Sequence, residues 1–299
     1  MGMQLLSRTS RLLISFAHER GELRRDSASG PGWTEVYIDR ANACGTRSTA
    51  DAVVAGYSLL LLHGLANPAE CELLRSEASS FARDCSRDTI TSPVRMPISQ
   101  MLCADSQALC DLMLVRGISR LREELPRLLP ALFGERDGIG SALWSGLPTN
   151  GPVSDASSVT PRTIIGDPRL KFVSGEPACN VYSAGGQFKV HEDQQALTVL
   201  VVLSSRDSFT GGGTAFWSYA DRPPPISPSV FIRSAAGPPT LVVKPPPGTA
   251  IVFGGDVTHA GQPVLDGERT VFVASFSTKV TCPPEAAYSF QYRSKWSVP

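Results

Sequence analysis

The stretch FKVHEDQQALTVLVVL, residues 188–203, decides how this chain is read. Its second half is an apolar, β-branched run of the kind that forms a strand. Its first half carries His191 and Asp193. Side chains two apart on a strand point to the same side, so the imidazole and the carboxylate face one point while Glu192 turns away. A third donor, His259, follows in IVFGGDVTHAGQPV (251–264), just beyond the strand TAIVFGG. The chain has only 4 histidines, so finding two in such settings is informative. Two neutral nitrogens and one carboxylate can hold a divalent iron ion and leave three coordination positions open on one face.

Working outward, FVSGEPACNVYSAGGQF (172–188), ALTVLVVLS (196–204), TLVVKPPPGTAIVFGG (240–255) and RTVFVASFS (269–277) are β-rich segments punctuated by Gly and Pro. Their number and spacing predict a closed or double-sheet antiparallel architecture such as a jelly roll. Upstream, GYSLLLLHGLANPAECELL reads as a strand followed by a helix capped at Asn67, with Pro68 at its first position and Glu70 three residues after the cap. His63 at the end of that strand has no acidic or histidine neighbour and reads as structural. ADSQALCDLMLVRGISRLREEL (104–125) predicts a second helix starting near a Ser or Asp cap, with Leu109, Leu112, Met113 and Ile118 facing the core. Pro126 breaks it, and PRLLPALFG adds a short further helix.

These readings divide the chain into four parts. Residues 1–35 form an N-terminal segment, of which 21–35 reads as a linker. Residues 36–170 form a helical support region that includes a long Gly/Ser/Pro-rich loop from Glu135 to Asp167. The β domain spans 171–280, and a tail covers 281–299. The class is α+β: a jelly-roll core with N-terminal supporting helices in one catalytic domain. The first twenty residues are rich in Arg and Ser and hold no acid before Glu19, a composition that suits an organellar transit peptide or a terminal helix. A cytoplasmic or an organellar location is therefore expected.

The 28 basic and 28 acidic residues balance, so the composition offers no electrostatic footprint for nucleic acid. No apolar run reaches the roughly 20 residues that span a bilayer. The 7 cysteines are scattered without a Cys-x-x-Cys pair and read as reduced, mostly buried thiols.

Arg269 stands ten residues after His259 and opens an apolar strand. An inward guanidinium there is costly unless an anion meets it. The distal carboxylate of 2-oxoglutarate would do so by a forked pair of hydrogen bonds. Tyr182 could donate its hydroxyl to the same carboxylate. Asn180, on the same strand face, could contribute beside it.

The ordered set YSAGGQFKVHED (182–193), LTVLVVLS (197–204), GGGTAF (211–216) and KPPPGTAIVFGGDVTHAGQPV (244–264), followed by a basic residue, resembles the catalytic domain of the 2-oxoglutarate- and iron(II)-dependent dioxygenases. It looks most like the prolyl 4-hydroxylase alpha-subunit type, and LLLLHGLANPAECELL (59–74) is similar to that family's strand-and-helix opening. The resemblance implies a double-stranded β-helix fold. It assigns iron to His191, Asp193 and His259, and 2-oxoglutarate to Arg269 with Tyr182. It also implies dioxygen as co-substrate and ascorbate as the agent that rescues oxidised iron.

Three departures narrow the branch. Prolyl hydroxylases typically place Lys where this chain has Arg269. The Arg-x-Ser of plant small-molecule oxygenases is here Arg269, Thr270, Val271. The second Arg of nucleic-acid demethylases is here Ser275. Halogenases of the superfamily replace the carboxylate by Gly or Ala, and Asp193 is retained, so hydroxylation of a C–H bond is the expected outcome. The substrate is expected to be a prolyl or other peptidyl side chain. The alternatives are a small metabolite or lipid, or a catalytically silent β-helix module that binds a ligand or a protein. The Pro-rich SYADRPPPISPSVFIRSAAGPPT (218–240) reads as a lid or as a passive insertion, and Phe216 and Trp217 beside it as packing aromatics.

Overall fold

The computed structural model describes residues 29–30, 32–85, 92–134, 163–227, 230–233 and 237–278, with backbone alone at 29–30, 225–227 and 230–233. The transit-peptide reading of the N-terminus, most of the loop from Glu135 to Asp167, Cys282 and the tail 281–299 lie outside the described residues. Strands alternate apolar side chains on both faces, so they need a partner layer on each side. The chain supplies two. The larger antiparallel sheet runs in the order Ser29–Gly30, Trp33–Tyr37, Ser58–Leu62, Ala250–Phe253, Leu197–Val202, Arg269–Thr278, Ala178–Tyr182, Val94–Pro97, with Leu170–Phe172 paired off Arg269–Thr278. The smaller one runs Pro225–Ser227, Val230–Arg233, Phe188–His191, His259–Gly261, Thr214–Phe216, Leu241–Val243.

Odd and even positions of the large-sheet strands part cleanly. Leu60, Leu62, Val199, Val201, Phe272 and Phe276 pack with Leu74, Met113 and Ile118 of the helices. Leu59, Leu61, Leu200, Val202, Ile251 and Val271 pack with Phe216 and Val243 of the small sheet. Each fully buried side chain of this kind contributes about 2 kcal/mol relative to exposure. From Ala178 onward the chain crosses between the sheets repeatedly, which puts Phe188–His191 and His259–Gly261 side by side in the small one.

The helix Pro68–Asp84 opens on the expected reciprocal cap. The Asn67 side chain accepts the Glu70 N–H at 3.0 Å, and the Glu70 carboxylate accepts the Asn67 N–H at 2.8 Å. Glu70 also accepts two bonds at 2.9 Å from Arg116 of the next helix, Ala104–Glu124, so the cap fastens one helix to the other. That second helix departs from expectation at its start. No Ser or Asp side chain caps it. Cys103 precedes it, and the Glu77 carboxylate from the first helix accepts the N–H groups of Leu102 and Cys103 at 2.6 and 3.1 Å. Leu112 is 41% exposed rather than core-facing, because it lies roughly 200° around the helix from the buried Cys110. The short helix Leu128–Phe133 follows Pro126 as expected.

Two segments read as irregular are strands. Trp33–Tyr37 begins inside the stretch taken as a linker and pairs along its length with Ser58–Leu62. The Pro-rich segment 218–240 contributes the hairpin Pro225–Ser227/Val230–Arg233, which extends the small sheet with Ile232 opposite His191. One of its prolines, Pro225, lies in the outermost strand, where proline is tolerated. Among the described cysteines all are free, with Cys71, Cys110 and Cys179 buried, Cys85 and Cys103 half-buried and Cys44 exposed. Among the described residues no helix is long and apolar enough to cross a membrane.

Replacing Asn67 by Ala removes the cap while leaving the core intact. Urea denaturation of Asn67→Ala should show a loss of about 1 kcal/mol, and an unchanged midpoint would mean that Arg116 alone holds the helix start.

Candidate metal centre

The predicted trio comes together. His191 ends one strand of the small sheet, His259 begins its neighbour, and the two are direct cross-strand partners with ring centroids 4.2 Å apart. Asp193, two residues past His191, places Oδ1 3.2 Å from His191 Nε2 and Oδ2 3.5 Å from His259 Nε2. One donor atom from each residue lies within 4.8 Å of the others, a spacing that could hold a metal ion.

The tautomers suit that role. Each Nδ1 faces the carbonyl two residues back, His191 to Lys189 at 2.8 Å and His259 to Val257 at 3.0 Å. A carbonyl can only accept, so Nδ1 carries the proton and the Nε2 lone pair points toward the centre. Thr198 donates to Asp193 Oδ2 at 2.6 Å and fixes the carboxylate from the floor of the large sheet. Burial alone would raise the Asp193 pKa, but the two histidines and Thr198 hold it well below the usual range. Burial pushes His259 down to about 4, against the pull of Asp193, so its ring is neutral near pH 7. Phe216 and Phe253 wall His259, the latter edge-on at 4.7 Å. Phe216 is thus a packing aromatic, as is the buried Trp217. His63 bonds to Thr34 at 2.9 Å and is not among the converging donors.

Arg269 is 2% exposed, donates to Thr214 Oγ1 at 2.9 Å and lies over the Tyr182 ring at 5.3 Å. No carboxylate among the described residues pairs with it. Burial lowers its pKa, and neighbouring Tyr182 opposes the shift. One strand relates Arg269 to the trio. On Thr214–Phe216, Phe216 stands opposite His259, while Thr214, two residues earlier on the same face, holds Arg269. Two residues of strand advance about 7 Å, so the strand position beside His259 and the one that holds Arg269 are neighbours on one face.

Tyr182 is the cross-strand partner of Arg269 and is buried beneath it. Burial raises its phenol pKa, while Arg269, Arg95 and Asn180 pull it back. Asn180 is less free than the sequence suggested, since its Oδ1 accepts from Arg95 Nε at 3.1 Å. Arg95 also lies 3.4 Å from Glu176 Oε1. Thr198, Thr214, Arg95 and Glu176 were all missed by sequence reasoning. Two are threonines in strands and carry no signal of their own; the other two reach the site only through sheet pairing.

No family model and no curated relative matches the sequence. Solved structures of 2-oxoglutarate–iron(II) oxygenases are similar to it. A viral collagen prolyl hydroxylase from Paramecium Bursaria Chlorella virus-1 is 16% identical over 74% of this chain and 95% of that one, with a TM-score of 0.40. A Pseudomonas putida prolyl-4-hydroxylase is 15% identical over 76% and 98%, at 0.39. HygX from Streptomyces hygroscopicus, solved with nickel and 2-oxoglutarate, is 12% identical over 74% and 83%, at 0.41. At such values the chemistry has to be read from the chain's own residues.

Glu176 offers a test of the site's electrostatics. Burial, and next the charge of Asp193, push it up from 4.5 to about 7 despite Arg95 and the Ser275 N–H. Between those two values the folded chain keeps a proton that the unfolded chain has released, so stability falls as pH rises through that window. The Glu176→Gln variant should lose less melting temperature than the wild type between about pH 5 and about pH 8. Parallel melting profiles for the two proteins would refute the assignment.

Proposed function

We propose that the chain is an iron(II)- and 2-oxoglutarate-dependent dioxygenase that hydroxylates an unactivated C–H bond on a double-stranded β-helix scaffold. The observation that carries this reading is the convergence of His191 Nε2, His259 Nε2 and the Asp193 carboxylate beside a buried Arg269 that has no acid partner among the described residues. Iron(II), when bound, supplies the coupling of 2-oxoglutarate decarboxylation to oxidation of the substrate C–H bond. The residues do the rest. His191, Asp193 and His259 bind the metal on one face and leave the opposite face open. Arg269 receives the distal carboxylate of 2-oxoglutarate, with Thr214 holding its guanidinium and Tyr182 flooring it. The aromatic wall of Phe216 and Phe253 keeps water from the His259 side. The metal carries the demanding step, and the protein supplies binding, orientation and exclusion of side reactions.

A prolyl or other peptidyl side chain is the substrate class favoured by the motif set. Arg269 in place of the lysine typical of prolyl hydroxylases favours, as a second reading, a small metabolite or lipid. Ascorbate belongs in the assay as the reductant that restores iron.

Purified protein with iron(II), ascorbate and 2-oxoglutarate should release succinate and carbon dioxide, slowly without a prime substrate and faster with one. His259→Ala should abolish release. Arg269→Ala should raise the KM for 2-oxoglutarate by roughly 30-fold or more, as expected for truncating one member of a buried charge pair. Absence of both metal binding and succinate in the wild type would point instead to a silent binding module, and full turnover in His259→Ala would refute the site.

A further inference from the structure

We infer that Glu192 is a positioning residue, which acts through Thr258 to hold His259 at a fixed distance from His191 and Asp193. The inference rests on the metal-binding reading above. Glu192 lies between two of the donors, with its side chain on the opposite side of the chain. It is nevertheless only 8% exposed. Its Oε1 accepts from Thr258 Oγ1 at 2.8 Å, its Oε2 accepts from Gln194 Nε2 at 3.0 Å, and the Arg222 guanidinium stands 3.6 Å from Oε1. Thr258 is buried and immediately precedes His259.

The position of this bond matters more than its strength. Asp193 is two residues from His191, so local backbone geometry sets their relation. His259 arrives from a segment more than sixty residues later, and only contacts between the two segments can set its distance. The two segments pair as strands with His259 opposite His191. On the chain around Asp193 the backbone adds two contacts: the Gly255 carbonyl accepts the Gln194 N–H at 2.8 Å, and the Gly255 N–H donates to the Gln195 carbonyl at 3.1 Å. Both lie on the far side of the turn from His259. The Glu192–Thr258 bond is one residue from His259 at one end and one residue from both other donors at the other. A hydrogen bond is directional, whereas an apolar contact in its place could slide. Arg222 adds a second route, since it stacks over Tyr219 at 4.9 Å and the Tyr219 hydroxyl donates to Asp256 at 3.3 Å, three residues before His259.

The test is cobalt(II) binding, read by its visible absorption and by calorimetry, alongside the melting temperature of the metal-free protein. Glu192→Ala and Thr258→Val should each weaken cobalt(II) about tenfold or more, the range for residues that orient a metal's ligands. The double variant should be no weaker than Glu192→Ala, because both changes remove one bond. Glu192→Gln keeps an acceptor for Thr258 and should restore affinity to within a few-fold of wild type. Wild-type affinity in the single variants, or additive losses in the double, would overturn the inference. So would a loss in Glu192→Gln that tracks a lower melting temperature. Should Glu192→Ala not fold, Thr258→Val and Glu192→Gln decide the matter by themselves. A wild-type protein that binds no cobalt(II) would overturn the metal reading itself, whereas wild-type binding with unaffected variants overturns only the role of Glu192.

Discussion

The site depends on one antiparallel pairing, that of Phe188–His191 with His259–Gly261 in the small sheet. Placing His191 directly across from His259 brings together two imidazoles that are far apart in the sequence. The two residues that follow the end of the first strand then deliver Asp193 between them. The rest of the molecule can be understood as support for this pairing. The large sheet lies beneath it and contributes Thr198 and Arg269. The helices bury the large sheet's other face. The hairpin Val230–Arg233 covers the remaining edge of the His191 strand, so that this strand is interior to its sheet.

The burial of charge follows a consistent pattern. Glu35 is 3% exposed, and its carboxylate is met by hydroxyls from Ser58 and Thr49 at 2.7 and 2.9 Å. Glu192 and Asp193 are likewise surrounded by donors. Arg269 differs, having a hydroxyl and an aromatic face for company but no acid among the described residues. These three carboxylates are met by donors from within the fold, whereas the Arg269 guanidinium has no acid beside it among the described residues.

What the sequence disclosed and what it hid separate along physical lines. The Asn67 cap was legible because all its atoms lie within four residues. His191 and Asp193 were legible because they stand two apart in one short stretch, although the strand expected to carry both ends at His191, and Glu192 was correctly turned away from them. Arg269 stood out because a guanidinium heading an apolar strand demands explanation. Thr198 and Thr214 were invisible, since a threonine in a strand looks the same whether it braces a ligand or packs. The strand Trp33–Tyr37 was hidden by Glu35, a charged residue on its buried face, which breaks the apolar alternation by which strands are recognised. The start of Ala104–Glu124 was misread because no side chain caps it, and the residues just before it are held by a glutamate from another helix. The hairpin within 218–240 was masked by a run of prolines, of which Pro225 lies in the outermost strand.

The parting of odd and even positions in the large sheet also limits how this protein can change over evolutionary time. In Leu197–Val202, one set of side chains faces the helices and the other faces the site layer. Losing or gaining one residue there would exchange the two sets along the rest of the strand. It would also displace Asp193 relative to Thr198. A point substitution disturbs one face at one position and a length change in a connection leaves the register intact, whereas a single-residue insertion within these strands disturbs both faces at once. Divergence of this protein should therefore appear as loops of varying length around strands of constant length.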